Sequence, residues 1–343
     1  MTEASIVNIT KPINLKITKE VNSSWIADLD IEKDDYIAPD CYVEFDNELY
    51  IVRKINERKD KGKIFYKVHL EHYMTELLDL TVAAFDHESK TPTYLLTQFL
   101  SGTDWSVGTV NLTSSIDLKS DKRITILKAL TLLAEECKGE LDFLENRVVD
   151  LKSQIGSNTQ LHLRYDKNCD YIEKISDTSQ LCTRLYCYGR DSLTIESVNG
   201  GIEYLDSTYI NNYKYRKEKT IYTNIKVASD LKTYAEAYLA IYELPFLTYK
   251  VNLADLAKRE IWQHEIINLG DTLRIYDDDL SLNVKVRVKK IIKDYVSENI
   301  YLEFVNYLYL PKFDNIAEEV AYLSEIISNI VSYDDPTKVS VDA

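Results

Sequence analysis

Hydrophobic and polar positions alternate through residues 1–74, the period-two signature of half-buried strands. The alternation is clearest where Ile64, Tyr66, Val68 and Leu70 face one way and Phe65, Lys67, His69 and Glu71 the other. A turn at Lys59–Gly62 joins this strand to one through Leu49–Ile55, and Asp46-Asn47 joins that one to Cys41–Phe45. From 75 to 155 the texture becomes helical. Thr91 caps a helix with Pro92 at its first position that ends at Gly102. A second helix starts after Asp121, lines up Leu127, Leu130, Ala134 and Cys137 on one face, and stops at Gly139. Leu141–Leu151 then reads as a hairpin with Glu145-Asn146 at its tip, completing a compact α/β insertion.

Strands return over 160–225, with Asn199-Gly200-Gly201 the sharpest hairpin signal in the chain. Ser229 is the expected cap of a helix carrying Leu231, Tyr234, Ala235, Tyr238 and Tyr242, which Pro245 stops. In a last β block Val284, Val286 and Val288 point inward and Lys285, Arg287 and Lys289 outward. From Phe313 the pattern is helical and acidic, with two Lys against seven Asp and Glu in 311–343. There Ile316, Val320, Leu323, Ile327 and Ile330 form a two-heptad seam of the β-branched and Leu type that favours trimers. Two heptads are marginal alone, and the same stripe could equally fold back on its own β block. One internal echo stands out. Asp40–Asp46 leading to Val52–Ile55 resembles Asp271–Asp277 leading to Val288–Ile291, although the second alternation is out of phase. It hints at a duplicated β-barrel.

Composition narrows the classes. A chain of 343 residues predicts two to three domains and needs no metal or disulfide to hold a core. With 41 Lys and Arg against 56 Asp and Glu, the net charge is −15, the wrong sign for gripping duplex nucleic acid by its phosphates. The exception is local: Arg53–Lys67 holds seven basic and two acidic residues, read as a solvated hairpin. The apolar run Leu239–Leu247 contains a charge and a Pro and is far shorter than a spanning helix, so no membrane insertion is expected. The start, Met1–Lys11, shows no secretory pattern, which predicts a soluble protein made in the cytosol. Five Cys without close pairs argue against a disulfide framework, and Cys182 and Cys187 are expected on opposite faces of one strand. Tyr is in excess, 26 against 8 Phe and 3 Trp, which suits extensive wet interfaces or sugar-binding surfaces.

Candidate chemistry is sparse. His69 and His72 lie three apart on a strand, so their imidazoles diverge and a metal pair is not expected. Ser229 and Lys232 have the S-x-x-K spacing but no companion S-D-N or K-T-G signature. Asp277-Asp278-Asp279 lacks the Gly and distant Glu of a calcium loop and reads as a hairpin tip. Cys137 sits on an apolar stripe, where a thiolate is costly. Trp105, after a helix end, reads as a core plug. No catalytic, cofactor-binding or metal residue is nominated.

Several segments together carry a resemblance. They are Gly102–Val110, Lys128–Leu151, Arg164–Ser207, Leu244–Lys258 and Ile267–Ile291. Their order and spacing resemble the phage minor structural protein family, that is, the prophage tail proteins and Tal-like N-terminal hub regions of tail-associated lysins from Gram-positive siphophages. The resemblance implies an α+β, multi-domain chain. Its expected parts are a first β-barrel hub domain at 1–74, an α/β insertion at 75–155 and a β-rich segment at 156–228. A helix plus second β-barrel hub domain at 229–311 and a C-terminal acidic helix and tail at 312–343 complete it. It further implies a homotrimer that closes the tail tube and opens for DNA, which passes through the lumen unbound. Implied partners are the distal tail or tail-tube protein and the tape-measure protein. The implied location is the virion tail tip or baseplate, after assembly in the host bacterial cytoplasm. No cofactor and no enzyme activity are implied: long family members continue into a peptidoglycan hydrolase or fibre, this chain stops at Ala343, and a lysin domain is expected to be absent. The rival readings are a cell-wall hydrolase and a glycan- or receptor-binding tail protein.

Overall fold

The computed structural model describes residues 6–305, apart from 254–266 and positions 8, 10, 24, 35 and 166. A first β block comprises β1 (Ile6–Val7), β2 (Asn14–Glu20), β3 (Ile26–Glu32), β4 (Tyr42–Phe45), β5 (Glu48–Asp60) and β6 (Lys63–His72). Then come α1 (Glu76–Asp79), β7 (Thr81–Val82), β8 (Phe85–Lys90), α2 (Pro92–Leu100), β9 (Ser106–Val110), β10 (Ile116–Ser120), β11 (Ile124–Thr125), α3 (Ile126–Glu136), β12 (Glu140–Leu144) and β13 (Val148–Lys152). Next are β14 (Asn158–Arg164), β15 (Tyr171–Asp177), β16 (Arg184–Tyr188), β17 (Tyr204–Asp206), β18 (Glu218–Tyr222) and α4 (Ala228–Tyr242). The last described elements are β19 (Phe246–Asn252), β20 (Thr272–Asp277), β21 (Leu282–Asp294) and β22 (Asn299–Val305). Contacts divide the chain into two units. One holds Met1–Ile172, Lys250–Leu273 and Arg287–Phe304, and the other holds the rest of the described chain.

The echo seen in sequence is a repeat of topology. The first block orders its strands β1-β4-β5-β6-β3-β2, and the later strands order β14-β20-β21-β22-β19-β15, the same succession with a longer insertion. Backbone hydrogen bonds show where the two coincide. Asp40 N–H donates to Val52 O at 2.9 Å and Val52 N–H to Cys41 O at 3.0 Å. Correspondingly, Gly270 N–H donates to Val288 O at 2.9 Å and Val288 N–H to Asp271 O at 2.8 Å. Asp40 therefore matches Gly270, one residue before the Asp271 that the sequence pairing suggests. Both have left-handed backbone, φ 63° and 83°. With that shift the alternation comes into phase: Val43, Phe45 and Val52 are buried, as are Leu273, Ile275 and Val288.

The expected closed barrels are not formed among the described residues. β2 bonds β3 along one edge and β21 along the other, from Lys16↔Asp294 to Glu20↔Lys290. The edge that would close a first barrel is thus already occupied, and the strands follow an open path. The first block has its own core of Leu15, Ile17, Ala27, Leu29, Val43, Tyr50, Val52, Val68 and Leu70. The sequence alternation of β6 and of Val284, Val286 and Val288 matches their burial.

Between the blocks, α2, α3 and the sheet β12-β13-β9 share a second core with Trp25 and Ile51 of the first block. Thr91 caps α2 as expected, its Oγ1 accepting from Tyr94 N–H. The second helix starts later than Asp121, because Thr125 Oγ1 accepts from Lys128 N–H and sets the start at Ile126. The inserted residues 178–245 replace the short connection between β2 and β3. Their sheet β17-β16-β18 packs one face on α4 through Leu185, Cys187, Leu231, Ala235 and Leu239. Three expectations fail in this segment. Asn199-Gly200-Gly201 is a turn after a short 3₁₀ helix rather than a hairpin tip, with Gly201 N–H bonded to Glu196 O. Ser229 does not cap α4: Val227 holds the cap position without a side-chain bond, and Ser229 Oγ lies 3.3 Å from Asp230. Cys182 and Cys187 share one core, because Cys182 precedes the strand, which starts at Arg184. Neither forms a disulfide.

Candidate interaction surfaces

Most of the side chains weighed for chemistry are held in packing or surface contacts, and His72 Nε2 is buried without a hydrogen-bond partner. His69 Nδ1 lies 3.1 Å from Asp28 at the strand surface, while His72 is fully buried on the opposite face. His72 Nδ1 accepts from Met74 N–H, and its ring packs against Trp25, Tyr50 and Tyr73. Burial, and then the nearby Lys19 charge, pushes its pKa down to about 3. Burial likewise pushes the Cys137 thiol up to about 12 and the Cys182 thiol up to about 11, so neither is a thiolate at neutral pH. Trp105 is buried, stacked on Tyr73 at 5.0 Å and edge-on to Phe143. Lys232 pairs with Glu236 rather than with Ser229. Asp277 Oδ1 accepts from Leu280 N–H in the β20–β21 turn, beside exposed Asp278 and Asp279. Among the described residues no group of three His, Cys, Asp or Glu could hold a metal ion.

One charge cluster locks the first block to the residues that follow it, and a second ties β12 to β21. Glu76, at the start of α1, accepts from Arg147 Nε and Nη2 at 2.9 and 2.6 Å, from Trp105 Nε1 at 3.2 Å and from Tyr42 OH at 2.8 Å. The carboxylate holds Arg147 firmly protonated, and burial followed by Glu76 raises the Tyr42 pKa. Arg287 makes a second bidentate pair with Glu140, at 2.6 and 2.5 Å, and also donates to Gly270 O and Ile155 O. Sequence reading missed both clusters. Their partners lie 71 and 147 residues apart, where no local periodicity can join them.

Beside Trp25 lies a cleft of about 380 Å³ lined by Lys19, Glu48, Asp142, Ser157, Asp271 and Lys293. Lys19 bridges Glu48 at 2.5 Å and sits over the Trp25 ring. Lys293 bridges Asp46, which Tyr295 OH also donates to. Asp271 accepts from Ser157 N–H and Oγ–H and from Asn268 N–H. Burial raises the Asp142 pKa. Both lysines of the cleft are already paired with carboxylates.

Two surfaces stand out as open among the described residues. The β5–β6 hairpin continues past its buried base into an exposed end at Glu57–Asp60. Its basic patch is partly paired: Arg53 contacts Glu71, Asp79 and Asp40, and Lys63 contacts Glu32. The other surface is the face of β17-β16-β18 turned away from α4. Alternation along these strands places Arg184, Tyr186, Tyr188, Tyr204, Asp206, Glu218, Thr220 and Tyr222 there. The seam residues Ile316, Val320, Leu323, Ile327 and Ile330 lie outside the described residues.

Comparison with known proteins gives concordant matches. The family model for the prophage endopeptidase tail matches residues 157–308, and that for its N-terminal domain matches 2–72, together well over half of the chain. No curated protein sequence matches. Among solved structures, the fold is similar to prophage tail protein gp18 from Listeria monocytogenes, at 16% identity and TM-score 0.57, covering 92% of this chain and 93% of that one. It is similar to the 43 kDa tail protein of prophage MuSo2 from Shewanella oneidensis, at 12% identity and TM-score 0.63, covering 87% and 95%. A tail protein from Neisseria meningitidis gives 11% identity and TM-score 0.60, covering 85% and 91%.

Proposed function

The chain belongs to the prophage tail protein family, and on that premise we propose that it is a structural hub of the virion tail tip, closing the tube as a homotrimer and opening for DNA. The observation that carries this reading is the repeated strand order, β1-β4-β5-β6-β3-β2 and β14-β20-β21-β22-β19-β15, within one chain. Three chains with two such modules each present six similar edges. A threefold hub can then meet a sixfold tube through one type of contact. The proposed neighbours are accordingly the distal tail or tail-tube protein and, inside, the tape-measure protein. A net charge of −15 suits a lumen that DNA traverses without adhering. The role is structural rather than enzymatic. The His, Ser and Cys side chains that could suggest hydrolysis are held in packing or surface contacts instead.

Deleting the gene from an inducible prophage should leave particles without complete tails, with tails restored by a plasmid copy. Infective particles with normal tails from the deletion strain would contradict the proposal. The purified chain should not clear peptidoglycan, with or without zinc. Clearing abolished by a single substitution would replace the structural reading with a hydrolase.

A further inference from the structure

The outward face of β17-β16-β18 is organised in rows. Register places Asp206, Arg184 and Glu218 side by side, then Tyr204, Tyr186 and Thr220, then Tyr188 and Tyr222. Neighbours within a row are about 4.8 Å apart and successive rows about 6.7 Å. Tyr188 and Tyr222 stack with centroids 5.5 Å apart, and Tyr222 is 80% exposed. Tyr186 and Tyr204 lie 5.6 Å apart, with the Arg184 guanidinium 3.6 Å over the Tyr204 ring. Arg184 is held by a bidentate pair with Asp206, both bonds 2.6 Å. Arg216, just before β18, pairs with Glu218 at 2.7 Å.

Three features of this face select its ligand. Its two ion pairs cancel, so it offers no field for a polyanion such as nucleic acid. The outward positions carry no aliphatic side chain, and every ring among them bears a hydroxyl, so the face is amphipathic rather than a dry apolar patch. What it does offer is aromatic ring surface, phenolic hydroxyls and a rigid Arg–Asp pair. That combination matches a neutral sugar, whose C–H faces lie on aromatic rings while its hydroxyls and amides exchange hydrogen bonds with the polar groups. We infer that this face is a carbohydrate-binding platform for a neutral or N-acetylated pyranose chain. The inference stands independently of the hub reading, since it uses only the inserted segment.

Titration calorimetry of the full chain with chitohexaose and with cellohexaose tests it. Saturable binding in the sub-millimolar range is expected for at least one. Binding of chitohexaose alone assigns the platform to N-acetylated strands, and of cellohexaose alone to plain hexose chains. Tyr222→Ala should weaken binding by at least about tenfold with an unchanged melting temperature. Tyr36→Ala, at an equally exposed tyrosine elsewhere, should leave binding intact. No binding of either sugar, or binding that Tyr222→Ala leaves unchanged, would overturn the inference. Equal loss with Tyr36→Ala would also overturn it.

Discussion

His72 shows how one side chain ties stability to pH. Buried among Trp25, Tyr50 and Tyr73, it stays neutral in the fold down to about pH 3, whereas an unfolded His binds a proton near 6.5. Between these values the unfolded chain holds the extra proton. Stability is therefore full above about 6.5 and falls as pH drops toward 3, by at most about 1.4 kcal/mol per pH unit. His72→Asn keeps an acceptor for Met74 N–H but cannot take the charge. Its urea midpoints should decline less steeply than the wild type over that range, and parallel curves would contradict the assignment. Glu76 is the other residue of consequence. Glu76→Ala strands Arg147, Trp105 Nε1 and Tyr42 OH, and should cost about 2–3 kcal/mol in urea denaturation; a loss below about 1 kcal/mol would show the bracket to be dispensable. The apolar role of Trp105 was legible from its place after a helix end. The Glu76 bracket was not, because its members meet only in three dimensions.

At the scale of elements, the strands carried the clearest signal. Strict alternation identified β6 and the Val284–Val288 part of β21, and Thr91-Pro92 identified the start of α2. Helix starts and turns with weaker local chemistry were misread: Ser229 lies inside α4, and the Asn199 turn sits within the long connection between the paired strands β16 and β17 rather than at a tight hairpin tip. The repeat was visible but misaligned by one residue, because its shared feature is left-handed backbone at Asp40 and Gly270 and not a shared side chain. That equivalence makes a prediction. A Cβ at Gly270 would meet Ile155 O at 2.6 Å at φ 83°. Gly270→Ala should therefore destabilise the chain by about 1–3 kcal/mol, whereas Asp40→Gly, which relaxes the same conformation, should be neutral or stabilising. Equal losses from both substitutions in urea melts would contradict the backbone account.

For the whole molecule, family resemblance rested on several ordered segments, and the matches over 2–72 and 157–308 bear out that membership. Closed barrels were the part of the expected architecture that failed, since no sequence pattern reveals that the outer edge of β2 is taken by β21. An open strand path built from two like modules suits a subunit that completes its contacts through neighbouring copies. Averaged electron micrographs of isolated tails, with the chain located by a bound antibody fragment, test this most directly. Three copies in a ring at the distal end of the tube are expected. Label along the tube, or a tip without threefold symmetry, would contradict it.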